Sequence, residues 1–132
     1  TIPGVTEVEG GTYALGGTTY DYMKDYRMAN KVMGTVISTP RSGVAIGDAG
    51  LFALSGLGAD SVEDHPEITV AEMLDHQIVL KSDGEMPLKV GDKFKLIPDY
   101  QDMMINRWDQ YIGIRDGAVE QVWDIPGRGC TQ

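Results

Sequence analysis

Apolar residues in this chain come in short bursts cut off by turn formers, with 17 glycines and 6 prolines among 132 residues. Such punctuation leaves little room for long helices and favours strands joined by tight turns. Val32 to Ser38 reads as a strand stopped at Thr39-Pro40, and Val44 to Ala49 as a second one closed by Gly50. Glu67 to Met73, Lys93 to Ile97, Tyr111 to Ile114 and Ala118 to Trp123 alternate in part, while Gln77 to Lys81 fits a buried strand. Asp116-Gly117, between Ile114 and Ala118, is a strong hairpin signal, because the tight turn requires a positive φ that glycine accepts. Asp83-Gly84 is a candidate for another hairpin. The expectation is all-β with minor α: a single domain over residues 1–132, its antiparallel sheet closed into a barrel or sandwich.

Two segments compete for helix. Thr18 to Lys31 places Tyr22, Met23, Tyr26 and Arg27 at helical spacing and predicts a short helix. Thr69-x-x-Glu72 matches a capping box, yet Ile68, Val70, Ile78 and Val79 are β-branched and favour strand. The seven methionines are expected to fill core gaps.

Charge and cysteine content narrow the functional classes. A net charge of −9 opposes recognition of nucleic acid, which relies on clustered Lys and Arg. No apolar run is long enough to cross a bilayer as a helix, so no membrane partner is expected. Cys130 is alone, which excludes an intrachain disulfide and a Cys-rich zinc site and fits a reducing, cytoplasmic location. The chain begins at Thr1 without Met, and we read it as a fragment or processed product. Gly10-Gly11 and Gly16-Gly17 lack the Lys-Ser/Thr of a phosphate loop, and Ser38 and Ser55 lack a paired histidine base.

The stretch Val90 to Gly117, VGDKFKLIPDYQDMMINRWDQYIGIRDG, holds the richest chemistry. Two β-like runs flank a proline-led turn with Tyr100 and Asp102 two residues apart, which on extended backbone share one face. Trp108 and Tyr111, beside Asn106 and Arg107, either line a pocket or belong to the core. His76 beside Asp75, and His65 before Pro66, read as structural and loop residues.

With these segments placed, the chain resembles the C-terminal domain of the D-threonine aldolase and D-serine dehydratase family. The resemblance rests on ordered pieces: PGVTEVEGGTY from Pro3 to Tyr13, TVIS with Pro40 from Thr35, DAGLFALS from Asp48 to Ser55, and Asp75-His76. Val90-Gly91-Asp92, Pro98, Asn106, Asp109, Arg115-Asp116-Gly117, Trp123 and Arg128-Gly129 continue in the family's order. It implies a pyridoxal 5′-phosphate lyase that cleaves or dehydrates a small D-3-hydroxy amino acid. The cofactor would sit on a Schiff-base lysine of an N-terminal alanine-racemase-like barrel that lies upstream of this sequence. A homodimer is implied for the full protein, and inactivity for this chain alone, with no catalytic residue of its own. None of its lysines (Lys24, Lys31, Lys81, Lys89, Lys93, Lys95) shows a Schiff-base environment. The competing expectation is a stand-alone β-barrel binding or interaction module without catalysis.

In that family a His-x-Cys or His-x-Asp pair holds a divalent ion such as Mn²⁺, Mg²⁺ or Zn²⁺ near the cofactor. Here Tyr100 stands at the histidine position and Asp102 keeps a carboxylate at the second. A phenol titrates near 10, so baring it at pH 7 costs about 4 kcal/mol before any gain from metal. Three readings stay open at this point. Asp102 binds an ion with water and a second carboxylate, Asp99 or Asp109; or the Tyr100 hydroxyl contacts substrate in place of metal; or Tyr100 simply packs. Asn106 is expected next to cofactor or substrate by the same resemblance.

Overall fold

A computed structural model describes residues 2–7, 9–20, 22–56, 58–59 and 61–130, without the side chain of residue 19. Val8, inside the Pro3 to Tyr13 stretch, and Asp21, inside the expected helix, lie outside the described residues. Among the described residues seven strands dominate: β1 (Val32–Arg41), β2 (Val44–Gly47), β3 (Ile68–Met73), β4 (Ile78–Ser82), β5 (Lys93–Leu96), β6 (Gln110–Arg115) and β7 (Ala118–Asp124). Two helical turns interrupt them, α1 (Leu51–Leu54) and α2 (Gln101–Ile105). No helix among the described residues is long and apolar enough to cross a membrane.

Alternation becomes burial wherever a strand has a face to hide. Ile78 and Leu80 on β4, Phe94 and Leu96 on β5, and Val32 and Val36 on β1 all point inward and are at most 3% exposed. The strands form an antiparallel sheet in the order β3-β4-β2-β1-β5, curled into a half-barrel around this core. Phe94 sets the curl locally. Its ring lies over Gly34 and Gly47, where an added Cβ would collide with it, so glycine makes room for the ring.

A short seam ties the sheet's two edges together. Ser61 bridges to Thr69 on β3, Val62 bridges to Leu96 on β5, and the Glu63 N–H donates to the Lys95 carbonyl at 2.8 Å. Lys31 and Lys95 both donate to the Glu63 carboxylate, the latter at 3.0 Å. Burial alone would raise the Glu63 carboxyl, but these two lysines outweigh it and hold it below the ordinary range.

Several expectations are corrected. The first strand runs through Pro40 to Arg41, because the register shifts between Ser38 and Arg41 and a bulge there tolerates a missing N–H. The helix expected over Thr18 to Lys31 reduces, among the described residues, to a 3-10 turn at Thr18–Tyr20. Asp83-Gly84 closes no hairpin, since β4 pairs with β2 and β3 while β5 crosses over to β1. Met104 is buried, but Met23, Met33 and Met103 are exposed, so the methionines are only partly core fillers.

The Asp116-Gly117 expectation holds. Asp116 has φ 52° and Gly117 φ 78°, and Arg115 pairs with Ala118 across the turn.

Candidate functional site

Pro98 is buried after β5 and turns the chain into α2, so Tyr100 and Asp102 sit at a helix start rather than on extended backbone. Tyr100 is the residue before the first helical turn (φ −135°, ψ 103°), and Asp102 lies within that turn. Gln101 and Met104 point inward, which leaves Tyr100 and Asp102 on the outer face.

The two outer side chains are nevertheless coupled. The Asp102 carboxylate favours the protonated Tyr100 phenol, as a hydrogen-bond acceptor and through its negative charge, and raises it above its ordinary value. Tyr111 approaches the same carboxylate from β6. Its ring is half-buried, its hydroxyl is out of solvent without a hydrogen-bond partner among the described residues, and burial, then the Asp102 charge, raises its phenol. At neutral pH the turn therefore presents two protonated phenols around one carboxylate.

This donor set does not suit a divalent ion. Metal ligation needs lone pairs free of protons, and the phenol at the histidine position is held more firmly protonated than usual. The two carboxylates considered as partners are occupied: Asp99 accepts from Thr18 Oγ1 at 2.6 Å, and Asp109 pairs with Arg128 at 2.7 Å. No group of three or more His, Cys, Asp or Glu side chains able to share an ion occurs among the described residues.

Asn106 ends α2, and its Oδ1 accepts the Gly129 N–H at 3.3 Å, tying the C-terminal segment to the turn. Trp108 and Tyr111 part company. Trp108 Nε1 donates to the Ala53 carbonyl at 2.8 Å, and with Arg107 it lines a cleft of about 270 Å³ shared with Asp48, Phe52, Asp75 and His76. The Phe52 and His76 rings lie 4.8 Å apart there, because the N–H groups of Leu51 and Phe52 bond to the Leu74 and Asp75 carbonyls. DAGLFALS and Asp75-His76 thus meet in space, which their separation in the sequence concealed. Of the lysines, Lys31 and Lys95 hold Glu63 and Lys93 donates to Thr35 Oγ1 at 2.6 Å, all structural uses.

Together these features define an all-β domain that displays polar groups on an outer turn. The chain belongs to the serine dehydratase domain family, which it matches over residues 29–114. It is 30% identical to the D-threonine aldolase of Arthrobacter sp over 96% of its own length, and 32% identical to the 3-hydroxy-D-aspartate aldolase of Paracoccus denitrificans (strain Pd 1222) over 93%. It spans only 35% and 34% of those relatives. Its fold superposes on the crystal structure of D-threonine aldolase from Filomicrobium marinum with a TM-score of 0.85, at 27% identity, covering 92% of this chain and 35% of that one. A D-threo-3-hydroxyaspartate dehydratase from Delftia sp. HT23 shares the fold, with a TM-score of 0.76 at 23% identity, covering 92% of this chain and 39% of that one. The resemblance carried by the ordered motifs is thereby confirmed.

Proposed function

We infer that this chain is the C-terminal β domain of a pyridoxal-phosphate lyase that cleaves D-3-hydroxy amino acids, its α2 turn facing the cofactor held by an N-terminal barrel. One observation carries the reading: the turn buries Gln101 and Met104 and displays a phenol and a carboxylate, electrostatically coupled, on its outer face. Bound pyridoxal phosphate would supply the electron sink that accepts the Cα electron pair. The chain's own residues would act on the 3-hydroxyl. Asp102 draws the Tyr100 proton toward itself, leaving the phenol oxygen rich enough to accept a hydrogen bond from that hydroxyl. As the Cα–Cβ bond breaks, the hydroxyl proton passes to Tyr100 and the Tyr100 proton to Asp102, releasing an aldehyde. A carboxylate-coupled phenol suits proton removal better than protonation of a leaving hydroxide, so aldol cleavage is favoured over dehydration. Three relatives of 30% identity or more, all aldolases, support the same choice. Asn106 positions the turn through Gly129, and Asp102 serves as proton acceptor rather than metal ligand. The full protein is proposed as a cytoplasmic homodimer, and the exposed free thiol of Cys130 fits a reducing compartment.

The test is aldehyde release from D-threonine and 3-hydroxy-D-aspartate by the protein carrying its upstream domain, with and without a chelator. We expect chelator-resistant activity and a fall of about 10²–10⁴-fold in kcat for Tyr100→Phe. Full activity in that variant removes Tyr100 from the chemistry. No aldehyde from either substrate, with cofactor bound, leaves a non-catalytic β module.

A further inference from the structure

The β6–β7 hairpin carries an apolar face that none of the described residues covers. Pairing sets Ile112 opposite Val122 and Ile114 opposite Val119, so the four side chains share one face. They are 62%, 47%, 54% and 62% exposed in that order. The other face is partly covered, with Tyr111 and Gly113 half-buried and Trp123, opposite Tyr111, 45% exposed. A lone two-stranded hairpin is marginally stable in water, and a contiguous apolar patch of this kind marks a contact surface.

We propose that this face docks on the N-terminal domain of the same protein. The proposal rests on the functional reading above for the existence of that domain, and three observations select it as the occupant. The relatives extend well beyond this chain, which spans only 35% and 34% of their lengths. The base of the hairpin is fastened to the candidate site: the Ile125 N–H donates to the Asp109 carbonyl at 2.8 Å, and Gly129 is bonded to Asn106. The hairpin is thus tied at its base to the end of the α2 turn, so a body seated on that turn lies next to the hairpin. A second copy of this chain would instead bring another net charge of −9 to the contact, which opposes pairing of like faces.

Thiol labelling of the protein with its upstream domain tests the idea, in a Cys130→Ser background. Cysteines are introduced singly by Ile114→Cys and, as a smaller change on the same face, Val119→Cys. Docking predicts maleimide labelling at least about tenfold slower than in the urea-unfolded protein, and unchanged on dilution. A smaller protection overturns the proposal. Protection that vanishes on dilution assigns the face to a second copy and overturns it as well. Cofactor absorbance and aldehyde release are read on the same samples. Protected thiols without cofactor or activity support docking and defeat the functional reading, whereas reactive thiols in an active enzyme defeat docking alone.

Discussion

The curled sheet and the hairpin are written in similar alternating sequence but end in opposite states. In β4 and β5, Ile78, Leu80, Phe94 and Leu96 are at most 2% exposed, because they belong to the core cluster that the curled sheet encloses. In β6 and β7, Ile112 and Ile114 alternate as cleanly, Val119 and Val122 join their face through a register shift, and all four stay in solvent. Alternation specifies which face is apolar and says nothing about what covers it. The difference separates a region that carries its own core from one whose stability depends on a neighbour.

The largest expected effect breaks the self-sufficient half. Leu80 is fully buried, so Leu80→Ala should cost about 2–5 kcal/mol in urea unfolding of the 132-residue chain. Ile112→Ser, on the uncovered face, should stay within about 0.5 kcal/mol in the same assay. Comparable losses at the two positions would erase the distinction between the regions.

The seam gives a smaller effect with a pH signature. Glu63→Gln removes one carboxylate from two lysines and should cost about 1 kcal/mol at pH 7. The folded carboxyl titrates below its ordinary value of 4.5, so the unfolded chain takes up the proton first as acid is added. The contribution is therefore whole above that ordinary value and is lost as pH falls through the lower folded value. Thermal melts of the two proteins should converge in acid, and a constant gap from pH 7 downward would rule out the ion pairs as its source.

The smallest effect lies where the two regions meet. Asp102→Asn removes the charge that raises both Tyr100 and Tyr111, so tyrosinate absorbance should appear at lower pH. An unchanged titration would place both hydroxyls away from that carboxylate.

Most strands were legible because period-two burial and glycine turns are local signals. Asp116-Gly117 is the clearest case, since the turn's dihedrals are demanded by those two residues themselves. The course of β1 through Pro40 was not legible, because it depends on a bulge opposite β2 that one strand cannot announce. Nor was α2, a single turn of five residues whose helical state follows from burying Gln101 and Met104 on the sheet. At the site, the residue pair and its missing imidazole could be read directly from the residues. The sequence concealed the approach of Tyr111, which arrives from a strand register, and the meeting of Phe52 with His76 across the cleft.

The seam at residues 61–63 also bears on the order in which the domain assembles. It joins two sheet edges through single bridges, one of them linking Val62 to Leu96 far along the chain. Closing it before the β1–β5 ladder exists would cost loop entropy with little return, so it should form late. By the same logic it should be the first element to open, and its amides should exchange with solvent well before those of β1 and β4.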